Sequence, residues 1–310
     1  MNKMATGIDI LKNVSLKEHN NFGLGGVARY FCLVSSSDEV IEAIEISKKL
    51  KTQYYVLGGG YNVVFSDNDF DGLIIKIKGG HIRQDGDKVY CDAGISLSEL
   101  IGFTISKGMS GLESLSGIPG TVGGAIYGNA GAYGHSISEV IESVRVFDGD
   151  KIRKISKNDC KFEYRESLFK KNKWIITEVE MVFGKADKKE LEKISSNIIE
   201  IRNKKFPWDL KCPGSYFKNV FVLSLSKKVL SNIDQGRIIE GKIPAGYLLE
   251  QVGAKGMADG GAKVTDFHGN IIINTGNAKY SEVKNLSGKL KKLVFEKFEI
   301  NLEEEVQYIN

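Results

Sequence analysis

The most constraining feature of this sequence is a glycine-rich segment at residues 111–134, which carries few charged side chains. It contains eight glycines. The chain as a whole has 35 glycines among 310 residues, above the usual share of about 7%. A solvated linker would be polar, whereas small, apolar and flexible backbone is suited to lie against a large flat ligand and to meet its edges with N–H and C=O groups. A glycine-rich crossing inside a core is the alternative interpretation.

Length and charge limit the class of protein. A chain of 310 residues is expected to form two or three packed units. The formal net charge of +4 is too small and too evenly spread for a dedicated nucleic-acid-binding protein. No apolar run is long enough to span a bilayer, and residues 1–14 lack the pattern of a secretory signal. We therefore expect a cytoplasmic protein that does not insert into membranes.

The cysteines and histidines indicate neither a disulfide framework nor a metal site. The four cysteines are widely spaced along a large chain, which is typical of reduced cytosolic thiols. The four histidines are isolated and lack the spacing of metal ligands. We therefore predict that the protein has no metal site.

Strands and helices are predicted to alternate in the first third of the chain. Apolar runs at residues 29–34, 54–57 and 73–77 predict three strands, and Ser37 or Asp38 is placed to cap the helix after the first. This alternation indicates α/β organisation. Further strands are expected at residues 88–91, 144–147, 174–183, 271–273 and 300–309, and further helices at residues 97–107, 187–202 and 281–298.

Three consecutive glycines directly follow the second predicted strand, in the run GGGYN at residues 58–62. They let the backbone turn sharply and aim several N–H groups at one point, which makes an anion-binding nest suited to a diphosphate. The run lacks the Lys-Ser/Thr of a P-loop, and residues 63–65 continue as strand and not as the helix of a Rossmann turn. A plain tight turn is the alternative. The G-x-G-x-x-A match at residues 23–28 follows no strand, so we expect a packing loop there.

Three more motifs contain residue types that carry chemistry. The run YRES at residues 164–167 offers an arginine clamp for a carboxylate or phosphate, with a surface Arg–Glu pair as the alternative. The serine in PGSYFKN at residues 213–219 is a nucleophile, a proton donor or simply a turn serine. The run LEEEV at residues 302–306 lies in the last predicted strand, where a solvated acidic edge is the default interpretation.

The order and spacing of these motifs resemble the UDP-N-acetylenolpyruvoylglucosamine reductase (MurB) family over residues 21–306. The most specific stretches are IPGTVGGA at residues 118–125 and NAGAYG at residues 129–134. The other matches, in the family's order, are YRES, GSYFKN, AGYLLEQ at residues 245–251, NTGNAK at residues 274–279, and LEEEV. Tyr61 departs from the family, which usually has serine there.

The resemblance implies an α+β fold with a two-part FAD-binding region of the vanillyl-alcohol-oxidase (PCMH) type and a separate α+β substrate-binding domain. It implies FAD-binding subdomains at residues 1–78 and 79–186, a substrate-binding domain at residues 187–299, and a C-terminal strand at residues 300–310 that returns to the active site. The short segment between Ser167 and Arg202 is similar to the compact form of the family, which lacks an extra substrate loop.

The resemblance also implies an activity, which is reduction of UDP-N-acetylglucosamine enolpyruvate to UDP-N-acetylmuramate by NADPH through noncovalent FAD, in peptidoglycan precursor synthesis. The flavin N5 hydride goes to the terminal enolpyruvyl carbon, and Ser215 donates the proton to the neighbouring carbon. Arg165 and Glu305 match the family's pair at the substrate carboxylate. A protonated Glu305 would donate a hydrogen bond to the enolic oxygens. We expect a monomer whose partners are small molecules.

The residues expected to hold the ligands follow from the same resemblance. Those expected to hold FAD are Gly58, Gly59, Gly60, Tyr61, Asn62, Gly117, Ile118, Pro119, Gly120, Gly123, Gly124, Ala125, Asn129 and Gly131. The UDP diphosphate needs cations and amides, for which the candidates are Asn219, Lys218, Lys255 and Lys263.

Two other functions stay open. An oxidase of the same flavin-domain superfamily would often link its flavin covalently through histidine or cysteine in the glycine loop, and residues 58–62 contain neither. A non-catalytic flavin- or nucleotide-sugar-binding protein is disfavoured by the joint presence of Arg165, Ser215 and Glu305.

Overall fold

The computed structural model describes residues 7–205, 207 and 209–310, so residues 1–6 of the first predicted subdomain lie outside the described residues. The chain forms two compact units. The described residues of unit 1 lie within residues 1–14, 28–59 and 70–206, and those of unit 2 lie within residues 15–27, 60–69 and 207–310. The finer division expected at residues 78, 186 and 299 stays a prediction. No helix in the described ranges has the length and apolar character that a membrane span requires.

Strands occur along the whole of the described part of the chain. In chain order they are β1 (Leu11–Ser15), β2 (Val27–Val34), β3 (Gln53–Leu57), β4 (Val63–Phe65), β5 (Phe70–Ile77), β6 (Ile82–Asp85), β7 (Lys88–Asp92), β8 (Met109–Ser110), β9 (Gly131–Ala132), β10 (His135–Ser136), β11 (Ile141–Phe147), β12 (Ile152–Ser156), β13 (Ile175–Val182), β14 (Gly184–Lys185), β15 (Val220–Phe221), β16 (Lys242–Ile243), β17 (Ala258–Asp259), β18 (Ala262–Val264), β19 (Ile272–Asn274) and β20 (Gln307–Ile309).

The α-helices of the described residues differ widely in length. In chain order they are α1 (Ser37–Lys49), α2 (Leu97–Ser106), α3 (Val122–Tyr127), α4 (Leu168–Asn172), α5 (Lys188–Lys205), α6 (Lys227–Leu230), α7 (Ala245–Gln251) and α8 (Tyr280–Phe298).

Unit 1 contains a four-stranded sheet in the order β1-β2-β5-β3, in which both β2 and β3 pair with β5 in parallel. The apolar stripe of α1, formed by Val40, Ala43 and Ile44, packs in a buried cluster with residues of β2 and β5. The helix begins at Ser37, and the hydroxyl of Ser36 accepts the N–H of Glu39 at 3.2 Å. The expected cap at Ser37 or Asp38 is therefore wrong, because the cap residue needs an extended backbone and only Ser36 precedes the first helical turn.

A second sheet of unit 1 is antiparallel, in the order β12-β11-β13-β7-β6. Its apolar residues form one large buried cluster with α2, α3 and the glycine-rich segment. That segment is not a continuous loop. It contains α3, whose first turn is closed by a hydrogen bond from the Gly124 N–H to the Thr121 hydroxyl at 3.2 Å.

Unit 2 contains the three-stranded antiparallel sheet β17-β18-β19 together with α7 and α8. The predicted stripe of α8 is largely buried, since Val283, Leu286, Leu290 and Val294 are all fully covered. Residues 23–26 form the expected packing loop, in which a Cβ at Gly25 would lie 2.8 Å from the Cβ of Leu16. These contacts build one apolar core, into which the end of the chain also docks.

The last predicted strand, at residues 300–309, is wrong in its length. Only β20 forms a ladder, parallel to β4, and Glu304 makes an isolated antiparallel bridge to Phe217. The segment cannot form one ladder because it pairs first with Phe217 and then with Val63. Leu302, before the first pairing, and Val306, between the two, are buried and anchor this segment in the core of unit 2.

Candidate active site

The glycine turn after β3 packs closely on its surroundings, which explains why side chains are missing there. A Cβ at Gly58 would lie 2.7 Å from the hydroxyl oxygen of Thr121, at the start of α3. Gly60 has φ of +77°, and a Cβ there would collide with the main-chain oxygen of His19. Glycine is therefore required at both positions, and Gly58 lets the turn approach the glycine-rich segment within unit 1.

The turn presents main-chain donors that the protein itself does not use. Among the described residues no acceptor pairs with the N–H groups of Gly60, Tyr61 or Asn62. Successive N–H groups beside a left-handed glycine form an anion-binding nest. The Tyr61 side chain is 39% exposed. The turn thus fits a bound diphosphate, as FAD would supply.

The glycine-rich segment separates into glycines that packing requires and glycines beside which a Cβ would fit without a close contact. A Cβ at Gly123 would lie 2.8 Å from the Cβ of Ala93, and one at Gly131 would lie 2.6 Å from the main-chain oxygen of His135. A Cβ at Gly124 would have its nearest neighbouring atom at 3.4 Å, and one at Gly128 would have it at 3.8 Å. Packing explains the first two glycines, whereas the open sides of Gly124 and Gly128 leave room for a ligand.

The other residues expected to hold FAD differ in burial. Gly117, Pro119 and Gly124 are exposed, Gly58, Gly59, Asn62, Ile118, Gly120, Gly123 and Gly131 are half-buried, and Gly60, Ala125 and Asn129 are buried. Their role in binding FAD stays a prediction.

Asn129 holds a buried acceptor that no described residue satisfies. Its Nδ2 donates to the main-chain oxygen of Glu163 at 2.9 Å, whereas its Oδ1 has no hydrogen-bond partner. The residue also has φ of +42°. A buried unsatisfied acceptor costs on the order of 1–3 kcal/mol, and an N–H group of a bound flavin ring would satisfy it. Within unit 1, Gly124, Gly128 and this oxygen fit the ring system of FAD.

Arg165 is anchored to the glycine-rich segment. Its Nη2 donates to the main-chain oxygen of Gly131 at 2.9 Å, and its backbone is left-handed with φ of +60°. The neighbouring Ser167 hydroxyl donates to the main-chain oxygen of Tyr127 at 2.7 Å. Glu166 accepts a hydrogen bond from Lys170 at 2.8 Å. The YRES run therefore holds the Arg165 guanidinium beside the glycines of unit 1.

Arg202, near the end of α5, is a second cation beside the glycine-rich segment, and it belongs to none of the sequence motifs. A Cβ at Gly117 would lie 3.2 Å from its Cδ. Burial lowers the pKa of Arg202, and the positive charge of Arg165 acts in the same direction. Arg202 lies in a helix rich in charged residues, so its sequence pattern does not distinguish it from a solvent-facing arginine.

In unit 2, Ser215 and Glu305 lie on two segments that are hydrogen-bonded to each other. We call residues 214–218 and 303–305 the paired segments. The N–H of Glu305 donates to the main-chain oxygen of Tyr216 at 2.8 Å, and the N–H of Lys218 donates to that of Glu303 at 2.9 Å. Ser215 is half-buried, and no described residue hydrogen-bonds its hydroxyl. Its hydroxyl is therefore available to a ligand.

Glu305 is also tied to the glycine turn after β3. The Asn62 side chain donates to the main-chain oxygen of Glu305 at 3.1 Å, and the Asn62 main-chain oxygen accepts the N–H of Gln307 at 3.0 Å. The acidic run is therefore not a solvated edge. Glu303 pairs with Lys218 at 2.6 Å, and Glu304 accepts hydrogen bonds from Ser287 and Lys291.

The four residues expected at the UDP diphosphate all make contacts within unit 2. Asn219 accepts the first N–H of α7, from Ala245, at 3.1 Å. Lys218 is buried against Glu303, Lys255 pairs with Glu250 at 3.1 Å, and Lys263 pairs with Asp266 at 2.9 Å. Binding of the diphosphate by these residues stays a prediction. Lys255 and Lys263 would each have to leave a carboxylate partner to bind a phosphate.

The described residues form neither a metal-binding cluster nor a reactive thiol. No cluster of three or more His, Cys, Asp or Glu side chains in the described ranges could hold a metal ion. All four cysteines are buried free thiols, and burial raises the pKa of Cys32 to about 12. Such thiols are poor nucleophiles.

Comparisons with known proteins cover nearly the whole chain. A family model described as "UDP-N-acetylenolpyruvoylglucosamine reductase, C-terminal domain" matches residues 206–309, and one described as "FAD binding domain" matches residues 28–152. The reductase of that name from Solibacter usitatus is 43% identical over 295 residues, which are 95% of each chain. The reductase from Bacillus subtilis is 33% identical over 304 residues, which are 97% of this chain and 94% of that one.

A solved structure gives the same result at the level of the fold. The crystal structure of UDP-N-acetylenolpyruvylglucosamine reductase from Thermus caldophilus superimposes with a TM-score of 0.77 at 27% sequence identity. The superposition covers 98% of this chain and 99% of that one.

Proposed function

The chain belongs to the UDP-N-acetylenolpyruvoylglucosamine reductase (MurB) family, and on this basis we propose that it reduces UDP-N-acetylglucosamine enolpyruvate to UDP-N-acetylmuramate in the cytoplasm. Membership confirms the predicted FAD-binding fold, the enzyme class and the use of FAD. NADPH as the reductant is part of the proposal. The enolpyruvyl substrate, the cytoplasmic location, the monomeric state and the residue roles that follow are proposals.

The residues that would hold FAD act mainly through the backbone. The N–H groups of Gly60, Tyr61 and Asn62 would bind the diphosphate. The open faces of Gly124 and Gly128 would lie along the ring system, and the Asn129 Oδ1 would accept an N–H from it. FAD, when bound, carries a hydride from NADPH to the enolpyruvyl group.

Ser215 would supply the proton that completes the reduction. Adding hydride to the terminal enolpyruvyl carbon leaves an enolate, with charge spread into the carboxylate, and the proton must reach the carbon that bears the ether oxygen. A serine hydroxyl is a weak acid, but an enolate is a strong base, so placement matters more than a low pKa. The half-buried Ser215 hydroxyl, which no described residue engages, meets that requirement.

Arg165 and Glu305 would stabilise the enolate at its carboxylate end. The Arg165 guanidinium is fixed by Gly131, and so it would supply positive charge without reorganising as the enolate forms. Glu305 in its protonated form would donate a hydrogen bond to the same oxygens. A carboxyl group beside a dianionic enol is favoured in its neutral state, because two like charges in one site disfavour ionisation.

The observation that carries this proposal is the hydrogen bond from the Glu305 N–H to the Tyr216 main-chain oxygen. It links the segment of the proposed proton donor to the segment of the proposed carboxylate partner, although the two lie far apart in the sequence. A solvated acidic tail or an isolated turn serine would have no reason to meet in this way.

A two-step assay tests the function. The purified protein should be yellow and release FAD on heating, and NADPH should be consumed only when the enolpyruvyl substrate is present, with UDP-N-acetylmuramate as product by mass spectrometry. An anaerobic repeat separates the oxidase alternative, because an oxidase would need O₂ in place of the enolpyruvyl sugar. Consumption of NADPH that depends on O₂ and ignores the sugar would rule the proposal out.

A further inference from the structure

Asn270 is a buried polar residue that belongs to none of the sequence motifs. Its side chain is 4% exposed, and it lies just before β19, next to the fully buried Ile271 and Ile272. Polar side chains at such burial are stable only when their hydrogen bonds are satisfied. The partners of Asn270 therefore show why it is there.

The polar groups of Asn270 engage the two residues that follow Ser215. Its main-chain oxygen accepts the Tyr216 N–H at 3.0 Å. Its Oδ1 accepts the Phe217 N–H at 2.8 Å, and its Nδ2 donates to the Phe217 main-chain oxygen at 2.9 Å. A side-chain amide that pairs with both main-chain groups of one residue replaces a neighbouring β-strand at that point.

The other side of the same segment is held by the chain end. The Tyr216 main-chain oxygen accepts the Glu305 N–H, and the Lys218 N–H donates to the Glu303 main-chain oxygen. Every main-chain polar group from the Tyr216 N–H to the Lys218 N–H is therefore committed, to Asn270 on one side and to residues 303–305 on the other.

Ser215 depends on this restraint because the preceding residue, Gly214, has no side chain and is not closely packed. Gly214 has φ of +87°, and a Cβ there would have no atom closer than 3.9 Å. The position of Ser215 is thus set by the residues that follow it. We infer that Asn270 is a positioning residue that holds Ser215 where its hydroxyl can protonate the substrate. This inference rests on the proposed role of Ser215.

The test compares the two half-reactions in the full-length flavoprotein by stopped-flow absorbance. In Asn270→Ala, flavin content and the rate of flavin reduction by NADPH should match the wild type. Reoxidation by the enolpyruvyl substrate should slow by about 10- to 100-fold, the size expected when a reacting group is misplaced by about 1 Å. The solvent deuterium isotope effect on reoxidation should rise, because proton transfer becomes the slower step.

A double variant shows whether Asn270 acts through the serine. In Ser215→Ala/Asn270→Ala, reoxidation should be no slower than in Ser215→Ala alone, because a residue that only positions the hydroxyl has nothing left to position. If the alanine variant does not fold, Asn270→Asp is the second variant. It keeps the acceptor for the Phe217 N–H but turns a carboxylate oxygen towards the Phe217 main-chain oxygen, and it should slow reoxidation alike.

Leu286→Ala is the matched control, since it weakens the same buried core from α8 and should leave reoxidation normal. Equal slowing in this control, or a full additional loss from Asn270→Ala in the Ser215→Ala background, would overturn the positioning role and leave the role of Ser215 intact. Normal reoxidation in Ser215→Ala would overturn both the proton donor and its positioning.

Discussion

The glycine-rich segment of unit 1 and the paired segments of unit 2 use the backbone in opposite ways. In the first, some glycines pack too closely for a side chain while others leave room beside the backbone, and Asn129 retains an unsatisfied buried oxygen. In the second, the main-chain groups from Tyr216 to Lys218 are committed within the protein, and the Ser215 hydroxyl is left available.

This difference matches the separate tasks that we propose for the two regions. Backbone that is open to a ligand can bind a large cofactor of fixed shape, but it offers no acid or base. A side chain on fully committed backbone can transfer a proton from a fixed position. Changes in the glycine regions should therefore alter flavin content, whereas changes in the paired segments should alter the chemistry at normal flavin content.

The largest effect should come from Ser215→Ala. Removing the proton donor should slow reoxidation of the reduced flavin by the enolpyruvyl substrate on the order of 10³-fold, since general acid catalysis contributes about 10²–10⁴-fold. Flavin reduction by NADPH should change little. Stopped-flow absorbance measures both steps. Ser224→Ala, at a turn serine whose hydroxyl donates to the Phe221 main-chain oxygen, is the control and should be normal. Equal slowing of both half-reactions would make Ser215 a structural residue.

Glu305→Gln should follow, with turnover reduced about 10²-fold, comparable to the loss of one oxyanion-stabilising group. The amide still donates a hydrogen bond, but it cannot supply a proton or change charge as the enolate forms. Flavin content and substrate binding should be retained. Both are measured by absorbance, with the substrate titrated against the oxidised enzyme.

Truncation before Glu305 sharpens the same test. It removes β20, which pairs with β4, and the buried anchor Val306. Turnover should fall further than in Glu305→Gln, because the chain end loses its docking as well as its carboxyl group. Near-normal turnover in both variants would remove Glu305 from the candidate site.

Gly60→Ala tests the glycine turn after β3, the other proposed FAD-binding region. Its φ of +77° and the close approach of the His19 main-chain oxygen make any side chain unfavourable, and strain of about 1–3 kcal/mol corresponds to roughly 5- to 150-fold weaker FAD binding. Flavin content after dialysis and fluorescence titration of the apoprotein measure this loss. Any flavin-loaded fraction should reoxidise at the wild-type rate.

Gly241→Ala is the matched control for that loss. It has a similar φ of +69° with no atom within 4 Å of its Cβ position, so it carries the backbone strain without the collision. It should destabilise the fold slightly and retain FAD. Equal flavin loss in the two variants would show that strain alone, and not the shape of the glycine turn, explains the effect.

Most of the fold and the named site motifs were predictable, because they depend on local pattern. Apolar runs marked β2, β3 and β5, and the helical stripe marked α8. The predicted cap of α1, Ser37 or Asp38, was wrong by one or two residues because Ser36, Ser37 and Asp38 are all residue types that cap helices, and only the start of the first helical turn decides among them.

The features that the sequence did not predict correctly depend on pairing between distant segments. The length of the last strand follows from its two successive partners, Phe217 and Val63, which no local pattern indicates. Asn270 and Asn62 hold the paired segments through side-chain amides, and a buried asparagine has no periodic signal in the sequence. Hydrogen bonds between distant segments thus hold the proposed site together, although the motifs name its candidate residues.

The smallest predicted effect is on the stability of the protein, through Glu304 in the paired segments. Burial alone would raise the pKa of Glu304, but hydrogen bonds from Lys291 and Ser287 outweigh it and lower the pKa below the ordinary value of 4.5. A carboxyl with a depressed folded-state pKa stabilises the protein above its unfolded pKa and loses that contribution as the pH falls through the folded value. Glu304→Gln should therefore lower the free energy of unfolding by about 1 kcal/mol at pH 7.

The free energies of unfolding of the wild type and Glu304→Gln should converge as the pH falls below 4.5, the ordinary pKa of the Glu304 carboxyl group. Urea unfolding at pH 7, 5 and 4 measures the difference. Glu299→Gln removes an exposed ion pair to Lys228 and should change stability little at any of these values. Because Glu304 bonds to α8 and the proposed chemistry belongs to Ser215 and Glu305, flavin reoxidation in Glu304→Gln should stay within a few-fold of wild type. A loss of turnover as large as that of Glu305→Gln would show that the whole acidic run, and not one carboxyl group, serves the reaction.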